Sequence, residues 1–372
     1  MKFIDEYRDG DLAQGIAAAI RQEARPGREY RLMEFCGGHT HAISRYGLTD
    51  LLPPNVRMIH GPGCPVCVLP IGRIDQAIRL AREHDAIVCT YADCLRVPAS
   101  DHLSLLKAKA LGGKIRMVYS TADALRIARE NPDRQVVFLA IGFETTTPPT
   151  AVAVKLARAE GLKNFSILCN HVLTPAAMHA ILAGGVAIDG FVGPAHVSTV
   201  IGSKPYEVFA SDYKKPVVIA GFEPLDVMQA ILMLVRQVND GRAEIENEFT
   251  RAVTREGNLK AQVLVNEVFE FRDSFEWRGL GSVPHSALQL RRATMADFSE
   301  FDAEARFGVE YMPVADNKAC ECAAILRGQK RPEECAIFGT VCTPENPIGS
   351  CMVSSEGACA AHYTYGRFRS AN

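Results

Sequence analysis

The sequence predicts an α/β protein with two Rossmann-like parallel sheets that face a cleft, followed by a small cysteine-rich domain at the C-terminus. Three observations lead to this prediction. Short apolar strand patterns alternate with helical patterns through the first two thirds of the chain, thiol-bearing and polar motifs follow the predicted strands, and six of the twelve cysteines fall within the last 53 residues. Alternating strands and helices favour parallel sheets, because a right-handed helical crossover is the usual connection between parallel neighbours.

The composition is that of an ordinary globular protein. The 372 residues include 41 Lys+Arg and 43 Asp+Glu, which gives a formal net charge of −2, and 48% of the residues are hydrophobic. This length allows two or three domains that each bury a core, and the composition excludes a disordered or collagen-like chain. A near-neutral charge without a basic block argues against nucleic-acid binding.

The sequence also lacks the features of a membrane helix or a signal peptide. A membrane helix needs about 18 uncharged apolar residues, and no run approaches this length. The N-terminus carries acidic side chains where a signal peptide would be basic and then apolar: Asp5, Glu6, Asp9 and Asp11. We therefore expect a cytoplasmic protein, in which the twelve cysteines have no reason to form structural disulfides.

Eight apolar segments bounded by turn residues are predicted to be strands. They cover residues 31–35, 56–60, 86–91, 115–119, 135–141, 165–170, 188–193 and 216–221. Helical spacing of apolar residues separates most of these segments. It predicts one helix over 71–82 and another over 122–129, where Ser120 and Thr121 are possible N-caps.

A repeated motif favours two sheets over one. Val137–Glu144 and Val217–Glu223 are both apolar strands that end in Gly-Phe-Glu. We therefore predict an α/β domain over residues 1–120, a second α/β domain over 121–235, and a helical linker with a cysteine-rich domain over 236–372. The last segment of about 60 residues has too few aliphatic side chains to fold by burial alone, so a metal is expected to stabilise it.

The chemically distinctive residues follow the predicted strands. The segment 36–41 follows the first strand and 61–67 the second, and further candidates follow later strands: Asp93, Cys94, Glu144, Asn170, His171, His196 and Glu223. In open parallel sheets, binding sites form in the crevice outside the carboxyl ends of the strands. We therefore expect these loops to converge on one cleft.

Two cysteines, Cys64 and Cys67, have the spacing of a CxxC motif. This spacing suits a redox dithiol or a pair of thiolates on one metal, and half of a zinc knuckle is the structural alternative. A helix that starts near Pro70 would lower the pKa of these thiols through its dipole.

The segment 36–41 offers one thiolate, Cys36, and two imidazoles, His39 and His41, beside a pair of glycines. These donors suit a late first-row metal such as iron or zinc. For each histidine the alternative is a hydrogen-bonding role in a glycine turn. For Cys36, at the end of a strand and facing the same cleft as Cys64 and Cys67, we favour a functional role.

The C-terminal cysteines lack the tight pairs of a zinc ribbon. They are Cys320, Cys322, Cys335, Cys342, Cys351 and Cys359, and the gaps after Cys322 are irregular. Four thiolates from this set would satisfy an iron–sulfur cubane, which tolerates irregular spacing. Zinc held by four thiolates is the alternative.

Several long motifs in this order resemble those of the HypD family of hydrogenase maturation factors. The motifs are Cys36-Gly-Gly-His-Thr-His, Gly61-Pro-Gly-Cys-Pro-Val-Cys, Gly142-Phe-Glu-Thr-Thr, Gly193-Pro-Ala-His-Val-Ser, Cys342-Thr-Pro-Glu-Asn-Pro and Met352-Val-Ser-Ser-Glu-Gly-Ala-Cys-Ala-Ala. The resemblance covers essentially the whole chain. It implies a role in building the Fe(CN)2CO unit of [NiFe]-hydrogenases, as a scaffold formed with the partner HypC. It further implies that HypE donates cyanide and that the finished unit passes through HypC to the hydrogenase large subunit.

The resemblance also implies roles for individual residues. Cys36 would be the iron ligand of the scaffold, completed by a cysteine of HypC, and Cys64 and Cys67 would be redox-active or iron-associated thiols beside it. A [4Fe-4S] cluster would be held by Cys322, Cys335, Cys342 and Cys359, which leaves Cys320 and Cys351 as extra cysteines. Ala323 stands where the family pattern has glycine, so the choice between Cys320 and Cys322 stays open.

A cluster and a CxxC dithiol in one chain favour an electron relay to the iron site. One alternative function is an iron–sulfur thiol-disulfide oxidoreductase that acts on protein substrates, with Cys36 incidental. Another is a zinc-stabilised binding module without chemistry. A nucleotide-dependent enzyme is less favoured, because neither GxGxxG nor GxxxxGK[ST] follows a predicted strand.

Overall fold

The computed structural model describes residues 5–293 and 296–367, and within these residues it contains two parallel sheets with helical connections. The predicted α/β class is confirmed. Its strands, in chain order, are β1 (Tyr30–Glu34), β2 (Val56–His60), β3 (Ile87–Thr90), β4 (Ile115–Met117), β5 (Val136–Gly142), β6 (Phe165–His171), β7 (Gly190–Pro194), β8 (Val217–Ala220), β9 (Ile245–Asn247), β10 (Phe269–Phe271), β11 (Ser274–Trp277), β12 (Gly281–Pro284), β13 (Leu288–Leu290), β14 (Arg292–Ala293) and β15 (Ala296–Asp297).

The helices range from one turn to 17 residues. In chain order they are α1 (Gly10–Glu23), α2 (Gly37–Tyr46), α3 (Leu48–Leu51), α4 (Pro65–Val68), α5 (Ile71–Arg82), α6 (Leu105–Ala110), α7 (Thr121–Glu130), α8 (Thr147–Ala159), α9 (Thr174–Ala183), α10 (Ala195–Ile201), α11 (Glu207–Ser211), α12 (Pro224–Asp240), α13 (Leu259–Val268), α14 (Ala303–Phe307), α15 (Cys322–Leu326) and α16 (Ala358–Ala361). The two predicted helices are α5 and α7, and Ser120 caps α7 in a capping box with Asp123.

All eight predicted strands are present. In the first sheet the strand order is β2-β1-β7-β8-β9, and in the second sheet it is β4-β3-β5-β6, with parallel pairing throughout both. The long strands β5 and β6 are buried along their whole length. Strands covered on both faces are near-continuous apolar runs in sequence, which is why these segments could be predicted.

The strand pairing corrects the predicted division into 1–120 and 121–235. The chain leaves the first sheet after β2, builds the whole second sheet from β3 to β6, and returns to the first sheet at β7. Each predicted domain therefore mixes strands of both sheets, and the boundary at 235 falls inside α12. The prediction assumed that consecutive strands lie in the same sheet. No local pattern in the sequence indicates that the chain returns to the first sheet at β7.

The region 236–372 also differs from the prediction in part. Before the cysteine-rich end it contains α13 and the short α14, but also antiparallel pairs of short strands, β10 with β13 and β11 with β12. The largest apolar core includes side chains from both sheets and from the cysteine-rich end, among them Phe191, Leu139 and Ile325. The cysteine-rich end is therefore packed into the body of the protein. Among the described helices, none has the length and apolar character to cross a membrane.

Candidate functional site

Cys36 lies directly after β1, where it forms the N-cap of α2. Its Sγ accepts a hydrogen bond from the Gly38 N–H at 3.4 Å, and the side chain is buried. Strand β7 pairs with β1, so the start of α10, which follows β7 directly, lies alongside and places His196 Nδ1 3.5 Å from the Cys36 Sγ. The two parallel strand ends thus bring a thiol and an imidazole together, as the position of both motifs predicted.

The surroundings of Cys36 disfavour a free thiolate. Burial raises the pKa of Cys36 well above its usual value, and the carboxylates of Glu356 and Glu34 raise it further, against an opposing effect of backbone N–H groups. Burial lowers the pKa of His196 to about 4, so this imidazole is neutral at pH 7. A cation that binds the sulfur would offset the cost of forming the thiolate.

The buried carboxylate of Glu34 holds the Cys36 loop in place through hydrogen bonds. One carboxylate oxygen accepts the Cys36 N–H at 2.9 Å, and the other accepts the Thr40 hydroxyl and lies 2.7 Å from His60 Nδ1. The pairing of β1 with β2 sets Glu34 opposite His60. Glu34 was not among the predicted site residues, although a carboxylate inside an apolar strand is a signal that could have identified it.

The two histidines of the segment 36–41 make hydrogen bonds in the loop. His39 is buried, and its Nε2 lies 2.9 Å from the carbonyl oxygen of Gly221. The His39 ring also packs on Phe222, with 4.8 Å between centroids. His41 Nδ1 lies 3.3 Å from the carbonyl oxygen of Ser355. These contacts match the hydrogen-bonding alternative for both residues.

Cys64 and Cys67 form a disulfide beside the Cys36 loop. Both are buried, and Cys64 is the N-cap of the one-turn α4, where its Sγ accepts the Cys67 N–H at 3.2 Å. The helix predicted to start near Pro70 is α5, whose N-cap is Pro70. Cys64 and Cys67 are not part of α5, because they lie at the N-cap and in the single turn of the preceding helix, α4.

The CxxC loop and the Cys36 loop touch through their backbones. The Gly37 N–H donates to the Gly63 carbonyl oxygen at 3.1 Å. A Cβ atom on Gly63 would lie 2.3 Å from the Cys36 backbone nitrogen. Only glycine permits this approach, so the two thiol motifs are neighbours because Gly63 has no side chain.

All six C-terminal cysteines line one cavity, together with apolar side chains. The lining residues are Cys320, Cys322, Ile325, Cys335, Ile337, Phe338, Cys342, Gly349, Cys351, Met352 and Cys359. Two of them, Cys322 and Cys351, are joined in a disulfide, which leaves four free thiols. Burial raises the pKa of Cys359 well above its usual value, and the other three free thiols raise it further.

The predicted ligand set of Cys322, Cys335, Cys342 and Cys359 stays a prediction. In this structure the Cys322 sulfur is bonded to Cys351, and the free thiols of the cavity are those of Cys320, Cys335, Cys342 and Cys359. Thiols in an apolar pocket are the donor type of an iron–sulfur cubane and also of four-thiolate zinc. In this structure, however, no three His, Cys, Asp or Glu side chains of the described residues are grouped as they would be around a single metal ion.

The cysteine cavity and the CxxC motif are separated by one side chain. The hydroxyl of the buried Ser350 donates to the Cys67 carbonyl oxygen at 2.8 Å and lies 3.9 Å from the Cys322 Sγ. No spacing in the sequence indicated this contact, because Ser350 and Cys67 are 283 residues apart.

The segment 350–356, which we call the C-terminal strap, continues over the Cys36 loop. Ser354 donates to Asp93 at 2.8 Å, and Ser355 contacts His41. Glu356 packs on Gly37, where an added Cβ would lie 2.4 Å from the Glu356 Cβ. The strap therefore connects the cysteine-rich end to the loops of both sheets.

The candidates of the second sheet are engaged elsewhere. Glu144 accepts the N–H and the hydroxyl of Thr174 at 2.8 and 2.9 Å, and burial raises its pKa to about 7. His171 Nε2 lies 3.0 Å from the Thr150 hydroxyl, and burial lowers its pKa to about 4. The segments that follow β1, β2 and β7 therefore meet, and the C-terminal strap connects them to Asp93, after β3. Glu144 and His171, by contrast, bond within their own sheet region.

The comparisons with known proteins agree with one another. The sequence model of a family described as "HypD: Hydrogenase formation hypA family" matches residues 11–366. "Hydrogenase maturation factor HypD" of Cupriavidus necator is 70% identical, over 99% of this chain and 98% of that protein. The proteins of the same name from Rhodobacter capsulatus and Escherichia coli K12 are 50% and 45% identical, over 100% and 98% of both chains.

Proposed function

The chain belongs to the HypD family of hydrogenase maturation factors, and we propose that together with HypC it forms the scaffold on which iron receives cyanide and CO ligands. The observation that carries this proposal is the buried Cys36 Sγ, which lies at the end of β1 beside His196 and the Cys64–Cys67 loop. Iron is the substrate of this site, and the Fe(CN)2CO unit is its product.

Cys36 binds the iron in this proposal. The high pKa of Cys36 keeps the thiol protonated until a cation arrives. When iron replaces the proton, the proton leaves to water, and the neutral His196 imidazole is within reach to pass it on, with its Nδ1 3.5 Å from the sulfur. A soft thiolate is a suitable ligand for iron that will bind cyanide and CO.

HypC supplies what the Cys36 site lacks. Three new ligands on one iron need open coordination positions, so few protein donors can be used. A cysteine of HypC completes the protein ligands, HypE delivers the cyanide groups, and the finished unit leaves with HypC for the hydrogenase large subunit. In this division of roles, the chain holds the iron and supplies the reducing equivalents.

Cys64 and Cys67 act as the redox pair beside the iron. Opening their disulfide takes two electrons and two protons and forms two thiols, which then lie next to the Cys36 loop and could also contact the iron. Cys320, Cys335, Cys342 and Cys359 would hold a [4Fe-4S] cluster, which supplies single electrons when bound. Ser350 connects the two sites through Cys67.

A second candidate function is a thiol-disulfide oxidoreductase that acts on protein disulfides. The CxxC spacing of the Cys64–Cys67 disulfide, which is typical of a redox dithiol, favours it. In this function Cys36 has no role, so a Cys36→Ala variant would keep its full reductase activity. In the scaffold function the same variant loses its bound iron.

The experiment that tests the proposal is an infrared spectrum of the complex with HypC, purified without oxygen from a host that has the maturation machinery. We expect cyanide and CO bands in the complex of the wild-type chain and none in Cys36→Ala. Cys89→Ala is the matched control, because Cys89 is a buried cysteine on β3, in the other sheet. A wild-type complex without these bands would contradict the scaffold function, and zinc without sulfide would favour a binding module.

A further inference from the structure

We propose that Arg278 is a positioning residue for electron transfer, whose buried guanidinium raises the reduction potential of the cluster that the cysteine cavity would hold. The inference rests on the proposed function, because it needs an iron–sulfur cluster in that cavity. A cubane has one cysteine ligand on each of its four irons, so these ligands need not be grouped around a single ion.

Arg278 carries a buried guanidinium with unused N–H groups. Only 2% of its side chain is exposed, and its Nε lies 3.1 Å from a carboxylate oxygen of Asp316. Neither its Nε–H nor its Nη2 amino group makes a hydrogen bond to any of the described residues. A buried cation is costly unless it is paired and hydrogen-bonded. The unused N–H groups therefore indicate a further acceptor or negative charge nearby.

The backbone places Arg278 between the CxxC loop and the cysteine cavity. Its N–H donates to the Val68 carbonyl oxygen at 2.8 Å, just after the CxxC motif. The next residue, Gly279, packs on α15, where an added Cβ would lie 3.1 Å from the Ala323 carbonyl oxygen. Helix α15 begins at Cys322, which lines the cavity. Arg278 thus lies next to both thiol regions.

The ion pair connects the guanidinium to the turn that carries Cys320. Asp316 stands shortly before Cys320 in the chain, and the Cys320 N–H donates to the Asn317 carbonyl oxygen at 2.9 Å. Burial raises the pKa of Cys320 to about 11, while the Arg278 guanidinium lowers it and the Asp316 carboxylate raises it. The two charges of the ion pair therefore both act on this thiol of the cavity, with opposite signs.

A cluster held by four thiolates would supply the negative charge that Arg278 lacks. The four thiolates outweigh the positive charge of the iron–sulfur core, and an added electron makes the whole more negative. A nearby cation therefore stabilises the reduced form more than the oxidised form. Net charge and hydrogen bonds to sulfur are among the factors that set the potentials of such clusters. Arg278 accordingly makes the cluster easier to reduce.

The reaction affected is the transfer of one electron from a one-electron reductant to the oxidised cluster. The reductant loses the electron and the cluster gains it. No proton moves and no bond to sulfur breaks. Dithionite with redox mediators serves as the reductant in the test.

The test is a redox titration of the full chain, purified without oxygen, in which electron paramagnetic resonance follows the reduced cluster. Iron and sulfide are measured in every sample. In Arg278→Met, we expect iron and sulfide to be retained and the equilibrium constant for reduction to fall about tenfold, which is 59 mV in potential for a one-electron couple. Arg278→Lys keeps the positive charge, so its potential should lie between those of the wild type and Arg278→Met.

Asp316→Asn separates the effect of charge from an effect on structure. It removes the carboxylate and keeps the guanidinium, so we expect the potential to rise, opposite to Arg278→Met. A purely structural role would shift the potential of both variants in the same direction or leave both unchanged. If Arg278→Met loses its iron and sulfide, Asp316→Asn carries the test, and an unchanged or lower potential in it would overturn the proposal.

Arg306→Met is the matched control. Arg306 is also partly buried, but it donates to the Phe165 carbonyl oxygen in the second sheet, so its removal should leave the potential unchanged. A cluster with the same potential in the wild type and in Arg278→Met overturns this inference alone. A chain with zinc and without sulfide overturns it together with the cluster of the proposed function. A failed scaffold would appear instead as absent cyanide and CO bands, which the titration does not measure.

Discussion

The loop region around Cys36 and the cysteine-rich end differ in how they hold their thiols. Around Cys36, the thiol is fixed by regular structure: the end of β1, the N-cap of α2 and the buried Glu34 carboxylate. In the cysteine-rich end, the regular elements are as short as α15 and α16, and the thiols lie in an apolar cavity closed by a disulfide. The first region is positioned by strand pairing and hydrogen bonds. The second contains a disulfide and, in the proposed function, is also held together by bonds between sulfur and metal.

This difference predicts opposite sensitivities. Removing a polar group should damage the Cys36 region, where the buried Glu34 carboxylate accepts hydrogen bonds from the Cys36 N–H and the Thr40 hydroxyl. Removing sulfur should damage the cysteine-rich end, which has few aliphatic side chains to replace it. The C-terminal strap, which begins at Ser350, connects the two regions. A substitution that weakens this connection should therefore affect both of them.

The largest effect is expected from removing a free thiol of the cavity. In Cys335→Ala, we expect loss of the bound iron and sulfide and faster amide exchange in residues 314–367, while β1 and β7 stay protected. Metal analysis and hydrogen-exchange mass spectrometry measure both. Cys89→Ala is the control, and it should keep its metal. Equal exchange throughout the chain in Cys335→Ala would show that the two regions do not differ in the proposed way.

The next effect is expected from Glu34. Glu34→Ala leaves the Cys36 N–H, the Thr40 hydroxyl and His60 without their shared acceptor in a buried place. We expect a loss of about 3 kcal/mol in the free energy of unfolding, because unsatisfied buried donors keep their desolvation cost.

Glu34→Gln sharpens this result, because it keeps one oxygen acceptor at nearly the same volume. Urea denaturation should place it between the wild type and Glu34→Ala, with iron and sulfide retained in both variants. Loss of the metal in Glu34→Gln would mean that the two regions are not independent.

More of the fold than of the candidate site could be predicted from the sequence. The eight strands of the two sheets were recognised because strands buried on both faces are apolar runs, and the family expected from the motifs is confirmed. The membership of each sheet was not predictable, because the return of the chain at β7 is a long-range event. In the same way, Glu34 with His60, Ser350 with Cys67 and Cys322 with Cys351 are partners that sequence spacing does not bring together.

A smaller effect is expected where the two thiol loops meet. In Gly63→Ala, the new methyl group would lie 2.3 Å from the Cys36 nitrogen, so the loops must separate. We expect a loss of about 2 kcal/mol in the free energy of unfolding, the usual range for an inserted methyl group without space. Gly15→Ala is the matched control. Gly15 lies inside α1 with nothing near its Cβ position, so alanine there should stabilise the protein by about 0.5–1 kcal/mol.

The smallest effect is expected at the connection between the two regions. Ser350→Ala removes the hydrogen bond to the Cys67 carbonyl oxygen and leaves that buried oxygen without this donor. We expect a loss of about 1 kcal/mol in the free energy of unfolding. If this hydrogen bond affects redox chemistry, the ratio of reduced to oxidised dithiothreitol at which half of the Cys64–Cys67 disulfide is reduced should also shift. Neither cysteine is substituted in this variant. Ser282→Ala, at an exposed position of β12, should shift neither quantity. A loss of stability without a shift in the ratio would limit Ser350 to a structural role and leave the two regions chemically separate.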